Sequence, residues 1–347
     1  MIFNALMLNS KDILLFKKEE QNRMKNTSIL HFEQLIQNDY SNITGILVEK
    51  NGGKVYEQYW NSYTPEDAVH IFSVTKSVFS TLIGIAIEKG YIKGVEQKVL
   101  DFFPDYTIPE GETTIQNITI RHLLTMTAPY KYKEEPYAAF FASEDWVTAA
   151  LDLLGGEYTG EFLYAAIVGT HILSGILANA TGTSTLEFAN ENLFIPLGIH
   201  VPHNVFLRTE EEHNTLMNTK GTCGWVADPQ GRNPASWGLF LTPEEMAKIG
   251  QLYYNGGMWN DEQIVPASWV VESTKEHSRW GELSYGYLWW VINEKEHIYA
   301  AIGDGGNVVY VNEKKGLVIA IAALFLPNVT DRIRLIQEHI EPLFENL

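Results

Sequence analysis

The segment FSVTKS, residues 72–77, contains the one Ser-x-x-Lys sequence of the chain, with Ser73 and Lys76 three positions apart. The residues after it are apolar at helical spacing, and Gly90 is typical of the position after a helix C-terminus. The pattern predicts a helix over residues 73–89, on which side chains at i and i+3 share one face. Ser73 would lie on the first turn, beside backbone N–H groups and the positive end of the helix dipole.

This pair of residues can act as a catalytic dyad. A serine hydroxyl is a weak nucleophile that needs a neighbouring base, and a lysine can be that base when burial makes its neutral form accessible. The alternative interpretation is an N-capping serine followed by an exposed lysine, since the tetrapeptide alone is weak evidence. Signatures of other catalytic classes are missing: we find no Gly-x-Ser-x-Gly, no His-Glu-x-x-His, no phosphate loop and no Gly-x-Gly-x-x-Gly.

The histidines do not indicate a metal site. The chain has ten of them, without metal-ligand spacing, and we interpret His122, His171 and His277 as packing or surface residues. A serine mechanism requires neither a metal nor an organic cofactor, so we expect none.

Strand-like runs occupy both ends of the chain, and helical runs dominate its middle. The strand-like runs are residues 43–49, 54–59, 298–301, 308–312 and 317–324. Asn51-Gly52-Gly53 between the first two is a strong hairpin signal. We predict an α+β fold in which residues 1–72 and 236–347 form a mixed domain, with an antiparallel sheet flanked by helices. Residues 73–235 would form an all-helical or mostly helical domain, with the active site in the cleft between the two.

Composition narrows the possible partners. The chain has 347 residues, 45% of them hydrophobic, and a formal net charge of −18 at pH 7. An acidic field repels polyanions, so we expect neither nucleic acid nor a membrane surface as a partner. Its single cysteine, Cys223, excludes an intramolecular disulfide. No signal peptide or membrane-spanning stretch is recognisable, so we expect a cytoplasmic protein that binds a small molecule. The sequence leaves its oligomeric state open.

Five segments, in the same order, resemble the serine β-lactamase and penicillin-binding-protein superfamily, and most of all its class-C-like esterases and amidases. These segments are FSVTKS (72–77), GIAIEKG (84–90), ITIRHLLTMT (118–127), FIPLGI (194–199) and GLFLTP (238–243). The likeness extends from about residue 30 to the C-terminus. It implies a β-lactamase/transpeptidase-like fold, with Ser73 as nucleophile and Lys76 as its proton acceptor.

The resemblance implies two further elements. Tyr164 matches the family's tyrosine loop and would relay a proton between Ser73, Lys76 and the leaving group. The segment Gly303–Asn307 matches the family's glycine-containing triplet on the strand beside the nucleophile. There Asp304, Gly305 and Gly306 would contact substrate, and the Asn307 N–H would join that of Ser73 as the oxyanion hole. The alternatives are a packing aromatic residue and an ordinary glycine-rich turn.

The sequence departs from the family pattern at two places. Ala165 and Ala166 stand where relatives usually place Asn or Ser, whose side chain hydrogen-bonds the lysine or a substrate amide; this puts amidase and β-lactamase activity in doubt. Asp304 stands where relatives that bind penicillins place a cation, and an aspartate repels the substrate carboxylate. We therefore predict poor β-lactam turnover and a preference for neutral or cationic esters and amides.

Three hypotheses follow. The leading one is an esterase or amidase that forms an acyl-enzyme at Ser73. The second, within the same fold, is a β-lactamase or D-Ala-D-Ala peptidase. The third is a catalytically impaired ligand-binding homologue, which the two alanines and Asp304 favour and the intact Ser73, Lys76 and Tyr164 oppose. We interpret Trp225, Trp237, Trp289 and Trp290 first as packing residues, with cleft lining as the alternative.

Overall fold

The structure, a computed structural model, describes residues 27–207, 212 and 215–345. Its contacts divide the chain into two units, one of Met1–Ser41 with Thr330–Leu347 and the other of Asn42–Val329. The boundaries predicted at residues 72/73 and 235/236 fall inside the second unit. The division into a sheet domain and a helical domain therefore stays a prediction.

The first unit is helical in its described part. Helix α1 spans residues 27–39, and the C-terminal residues are helical from Arg332 to Phe344, with a wider π turn at Ile336–Ile340. The Arg332 guanidinium lies 4.9 Å from the centre of the Tyr40 ring, a cation–π contact between the C-terminal helical segment and the residue that follows α1.

An eight-stranded antiparallel sheet organises the second unit, in the order β2-β1-β14-β13-β12-β11-β10-β9. Its strands are β1 (Ile43–Lys50), β2 (Gly53–Tyr59), β9 (Ser278–Trp280), β10 (Leu283–Tyr285), β11 (Trp290–Asn293), β12 (Ile298–Gly303), β13 (Asn307–Asn312) and β14 (Leu317–Ala323). The N-terminal hairpin thus pairs with the last strand of the sheet, which confirms that strands from both ends of the chain form one sheet.

The first hairpin shows why its turn sequence predicts it. Asn51 and Gly52 have φ angles of 50° and 79°, which suit asparagine and glycine but few other residues. Two consecutive positive φ angles match the twist of the flanking strands in a two-residue turn. The predicted strands 43–49 and 54–59 are confirmed within a residue.

Shorter strands form two smaller sheets. These strands are β3 (Val69–His70), β4 (Asn204–Phe206), β5 (Gly224–Ala227), β6 (Leu239–Leu241), β7 (Met258–Trp259) and β8 (Glu262–Gln263). One sheet has the order β3-β6-β5-β4, and the other is the β7-β8 hairpin. Strands β4 and β5 lie within the segment predicted to be all helical. Each is only three or four residues long, too short to produce a clear alternating pattern.

Helices fill the middle of the chain, and some of them pack on the large sheet. The remaining helices are α2 (Val74–Glu88), α3 (Ile120–Leu124), α4 (Tyr137–Phe141), α5 (Trp146–Leu153), α6 (Val168–Thr181), α7 (Thr185–Ala189), α8 (Ile195–Leu197), α9 (Pro243–Tyr254), α10 (Ala267–Ser273), α11 (Arg332–Leu335) and α12 (Glu341–Phe344). Helix α2 packs on β12 and β13, and α9 packs on β1, β13 and β14. Among the residues that the structure describes, no helix combines the length and apolarity needed to cross a membrane.

Helix α2 lies in the core. Every residue from Val74 to Ala86 is buried, so its polar side chains depend on other protein groups for hydrogen bonds. Within the described part of the chain Ser77 and Thr81 have such partners, whereas the hydroxyls of Thr75 and Ser80 do not. Ser77 donates to the Leu288 carbonyl at 2.6 Å, and Thr81 bonds Tyr253 at 2.9 Å. These contacts fix the rotation of the helix and therefore the direction in which Ser73 and Lys76 point.

Candidate active site

Ser73 and Lys76 meet at the N-terminus of α2. The Lys76 Nζ donates to Ser73 Oγ at 2.8 Å, and the lysine is only 2% exposed. Ser73 occupies the N-cap position but its side chain makes no capping hydrogen bond. The alternative interpretation, a capping serine followed by an exposed lysine, is therefore wrong.

The backbone just before Ser73 is strained. Phe72 has a φ of 49°, which is rare for a bulky side chain and costs about 1–3 kcal/mol. Its ring is held edge-on to His70 at a centroid distance of 4.1 Å and lies 5.6 Å from Phe325. The surrounding packing thus maintains a sharp turn from strand β3 into helix α2, with Ser73 at its end.

The second partner of Lys76 comes from the tyrosine loop. Its Nζ donates to the Ala166 main-chain carbonyl at 2.8 Å. Its ammonium or amine group also lies 5.0 Å from the centre of the Tyr164 ring. The structure therefore brings Ser73, Lys76 and Tyr164 together, and a backbone oxygen at Ala166 supplies a hydrogen-bond acceptor that the two alanine side chains lack.

Glu135 lies behind this loop. Its carboxylate accepts from the Ile167 N–H at 3.0 and 3.3 Å and from the Tyr132 hydroxyl at 3.3 Å. Burial, followed by the charge and hydrogen bond of Glu135 and the charge of Asp304, raises the pKa of Tyr137. Glu135 and Asp304 thus both lie within electrostatic reach of Tyr137, a residue that the sequence analysis did not consider.

The end of β12 lies against the turn that carries Ser73. A Cβ atom placed on Gly303 would lie 3.1 Å from both the Ser73 and the Val74 nitrogens and would overlap the Ile71 carbonyl oxygen. Only glycine lets the strand approach this closely. Gly303 is thus the residue of the predicted glycine-rich segment that closely approaches the turn that carries Ser73.

The remaining residues of that segment form a tight turn. Asp304–Gly306 is a single 3₁₀ turn in which Gly305 has a φ of 73°, and Asp304 is exposed. Asn307 is fully buried; its side chain donates to the Asp304 carbonyl at 2.8 Å and to the Ala323 carbonyl at 3.0 Å and accepts from the Ala323 N–H. The Asn307 side chain therefore holds the turn against β14, while its main chain lies opposite Gly303 in the register.

Aromatic residues surround Tyr164. Phe162, Trp280 and Trp290 lie between 6.2 and 6.4 Å from its ring centre. Of these three residues, only Trp290 is singled out from the sequence. Trp225, Trp237 and Trp289 are buried in the core, which confirms their interpretation as packing residues.

The three histidines singled out from the sequence make internal contacts. His122 bonds Thr119 in the capping box of α3, His171 is buried 3.2 Å from Asp228, and His277 stacks on Tyr287 at 4.1 Å. They are packing residues, as predicted. Over the described ranges, no group of three or more His, Cys, Asp and Glu side chains is arranged to hold a metal ion.

Comparison with known proteins assigns the chain to a family. A family model described as Beta-lactamase matches residues 32–339. A 6-aminohexanoate-dimer hydrolase from Paenarthrobacter ureafaciens is 21% identical over 293 residues, which cover 77% of this chain and 69% of that protein.

Solved structures share the fold at low sequence identity. A D-stereospecific amidohydrolase from Streptomyces sp. superposes with a TM-score of 0.65 at 14% identity, covering 89% of this chain and 97% of that one. A family VIII carboxylesterase gives a TM-score of 0.63 at 17% identity, covering 91% of this chain and 96% of that one. The chain therefore belongs to the beta-lactamase family and is a hydrolase with that family's fold.

Proposed function

We propose that this protein is a serine hydrolase that forms an acyl-enzyme at Ser73 and acts on small neutral or cationic esters or amides. The observation that carries the proposal is the 2.8 Å contact between Ser73 Oγ and the buried Lys76 Nζ. A nucleophile and its base at hydrogen-bond distance are the geometric requirement for this chemistry. Relatives whose names describe amide and ester hydrolysis support the substrate class.

In the proposed acylation step, Lys76 accepts the Ser73 hydroxyl proton while Oγ attacks the substrate carbonyl carbon. The oxyanion that forms accepts hydrogen bonds from main-chain N–H groups. One is the N–H of Ser73. The second comes from the segment Gly303–Asn307, where the sequence predicts the N–H of Asn307 and where Gly303 closely approaches the Ser73 nitrogen.

Collapse of the tetrahedral intermediate requires a proton for the leaving group. Tyr164 is the proposed relay, because it matches the tyrosine of the family's loop and its ring centre lies 5.0 Å from Lys76 Nζ; in this proposal its hydroxyl passes on the proton that the lysine accepted. Loss of the alcohol or amine leaves Ser73 as an ester. Water then attacks this ester, with the proton transfers running in the opposite direction, and releases the acid and the free enzyme.

Two features bear on substrate choice. The Ala166 carbonyl accepts a hydrogen bond from Lys76. The lysine therefore keeps a hydrogen-bond partner in this loop although residues 165 and 166 have no amide side chain. Asp304 is exposed at the turn beside the nucleophile, and its charge disfavours substrates with a carboxylate at that place, penicillins among them.

The proposal is tested by comparing the hydrolysis of p-nitrophenyl acetate and of a chromogenic cephalosporin by the wild type and by Ser73→Ala. We expect ester turnover that falls at least ~10³-fold in the variant, and slow or absent cephalosporin turnover. Ser268→Ala, at an exposed serine of α10, is the matched control and should keep wild-type rates.

The alternatives predict other results. Efficient cephalosporin cleavage would identify a β-lactamase and contradict the role given to Asp304. No Ser73-dependent turnover of either substrate would favour the ligand-binding homologue.

A further inference from the structure

A group of aromatic side chains extends from the candidate site to the protein surface. This aromatic wall consists of Phe162, Tyr164, Trp280 and Trp290. The rings of Tyr164 and Trp280 are 6.2 Å apart and inclined by 10°, and those of Phe162 and Trp280 are 6.3 Å apart and inclined by 11°. Trp290 lies 6.1 Å from Trp280. Three of the four rings are thus nearly parallel.

The outer part of the wall is open to solvent. Trp280 is 57% exposed, and Leu283, its partner across the β9–β10 hairpin, is 51% exposed. Single exposed apolar side chains are common, but a contiguous exposed apolar patch commonly marks a ligand site. Tyr285 lies fully buried beneath, 5.4 Å from Phe162 and 4.8 Å from Trp290, which fixes the wall in place.

The wall is continuous with the reacting groups. The Tyr164 ring contacts Lys76 at 5.0 Å, and Lys76 contacts Ser73 at 2.8 Å. Because Tyr164 is the proposed proton donor to the leaving group, the side chains packed against Tyr164 lie on the leaving-group side of the scissile bond. Glu282 at the hairpin tip and the chain's net charge of −18 disfavour an anionic group there.

We propose that the aromatic wall is a binding subsite for an uncharged apolar leaving group, such as an aryl or benzyl alcohol or amine. The inference rests on the proposed function, since it takes Ser73 as the nucleophile. Aromatic rings stack on such groups in offset geometry. The acyl part of the substrate lies on the other side of the scissile bond and does not contact Trp280.

The test measures kcat/KM for benzyl acetate and ethyl acetate, whose leaving alcohols have similar acidity. In Trp280→Ala we expect the benzyl-to-ethyl ratio to fall about five- to tenfold. Trp280→Phe should retain most of the ratio. Tyr91→Ala removes an exposed aromatic residue that contacts Phe188, outside the wall, and should leave the ratio unchanged.

A second ester pair distinguishes the two sides of the bond. Ethyl phenylacetate against ethyl acetate varies the acyl group alone. If Trp280→Ala lowers this ratio and leaves the benzyl ratio intact, the leaving-group assignment is wrong. If neither ratio changes while hydrolysis still depends on Ser73, the subsite does not exist. If no ester is hydrolysed in a Ser73-dependent way, the proposed function itself fails.

A second inference comes from one peptide group, between Ala166 and Ile167. Its carbonyl accepts from Lys76 Nζ at 2.8 Å, and its N–H donates to Glu135 Oε2 at 3.0 Å. Because a peptide group is planar and rigid, fixing its N–H also fixes the direction of its carbonyl. The carboxylate polarises the peptide and strengthens the carbonyl as an acceptor.

We infer that Glu135 is a positioning residue for Lys76, which acts through this peptide group in place of an amide side chain at residues 165 and 166. Tyr132 in turn orients the carboxylate by donating to Oε1 at 3.3 Å. The titratable groups that face Glu135 are Tyr130, Tyr132 and Tyr137, and the group that faces Lys76 is Tyr164.

Two substitutions separate the hydrogen bond that Glu135 accepts from the Ile167 N–H from the negative charge of its carboxylate. Glu135→Ala removes both and should lower kcat for p-nitrophenyl acetate by about tenfold or more with little change in KM, because small misplacements of a catalytic group are costly. Glu135→Gln keeps an acceptor oxygen and should restore most of the loss. Glu134→Ala, at the exposed neighbour with the same charge, is the matched control.

The conservative variant provides the readout that distinguishes positioning from a merely structural role. Rescue of kcat by Glu135→Gln, with KM little changed in both variants, would support the inference. Wild-type kcat in Glu135→Ala would overturn it. So would an equal loss of kcat in the Ala and Gln variants.

Discussion

Ser73 and Lys76 are held by one helix, whereas Tyr164 and Gly303 reach the same place from a loop and from the end of a strand. The helix fixes its two residues by its own geometry, one turn apart and on one face. The loop and the strand are fixed only by tertiary contacts: the loop by its Ala166 carbonyl on Lys76 and by Glu135, and the strand by the close approach of Gly303 to Ser73.

The difference between helix-held and loop-held residues indicates which parts of the site can change in sequence. A helical pair tolerates no change of spacing, so it must be preserved for the chemistry to persist. A loop needs only to deliver a hydrogen-bond acceptor, and a main-chain carbonyl can serve where a side chain is absent. The alanines at 165 and 166 are therefore compatible with a working site, and they do not by themselves favour a binding-only protein.

The largest expected effect comes from breaking the helical pair. Lys76→Met keeps the length of the side chain and removes the base, so ester kcat should fall about 10³- to 10⁴-fold. Steady-state assays with p-nitrophenyl acetate measure this loss. Lys89→Met, at the exposed C-cap of the same helix, should behave like the wild type; equal losses in both would indicate a folding defect.

A smaller loss is expected at the loop. Tyr164→Phe retains the ring that lies over Lys76 but removes the hydroxyl, so kcat should fall about 10²- to 10³-fold. The loss should be larger for amides than for p-nitrophenyl esters, because an amine leaving group needs the proton more. Tyr158→Phe, at an exposed tyrosine, is the control, and full activity of Tyr164→Phe on amides would contradict the proton relay.

A substitution at the end of strand β12 should have the next largest effect on catalysis. Gly303→Ala forces β12 away from the turn that carries Ser73, because the new Cβ would overlap the Ile71 carbonyl. We expect kcat/KM to fall about 10²-fold with Ser73 and Lys76 both present. Gly53→Ala, whose Cβ would lie at an ordinary 3.6 Å from the nearest atom, should be neutral. A fully active Gly303→Ala would show that the strand does not contribute to the oxyanion site.

A residue outside both regions should affect stability and leave catalysis unchanged. Burial, followed by the charge of Glu244, raises the pKa of Glu49 on β1 to about 7, and its Oε2 has no hydrogen-bond partner within the described part of the chain. Between the ordinary carboxyl pKa of about 4.5 and about 7, the folded state binds more protons than the unfolded state. The free energy of unfolding should therefore decrease as pH rises through this window.

Glu49→Gln removes this contribution. Compared with the wild type, the variant should be more stable at pH 8 and should show a shallower pH dependence between pH 4.5 and 7, as measured by urea unfolding. Glu110→Gln, at an exposed glutamate, is the control. A wild type whose stability does not fall over this window more than that of Glu49→Gln would contradict the assignment.

The sequence predicts the placement of Ser73 and Lys76 on one helix and the pairing of the first two strands well, because their signals are local. The spacing of Ser73 and Lys76 and the Asn51-Gly52 turn both act within a few residues. The role of the Ala166 carbonyl could not be predicted from the sequence, because every residue has a main-chain carbonyl. Glu135 and Trp280 were missed because their partners lie in distant segments and become neighbours only in the fold.

Gly303 is an intermediate case. The order of the segments in the sequence indicates the glycine-rich region. The close packing against Ser73 in the structure then identifies Gly303 as the position that has no room for a side chain. Asn307, predicted for its main chain, has a buried side chain that binds the turn to β14. An asparagine beside a glycine-rich turn is a sequence signal for a side chain that holds the turn. Its burial and its hydrogen-bond partners are known only from the structure.

The most direct test of the account is covalent labelling with a fluorophosphonate, followed by peptide mapping by mass spectrometry. The account predicts a single adduct on Ser73, formed rapidly in the wild type, strongly slowed in Lys76→Met and absent in Ser73→Ala. Labelling of another serine, or a wild-type protein that stays unlabelled while correctly folded, would contradict the claim that Ser73 is a nucleophile activated by Lys76.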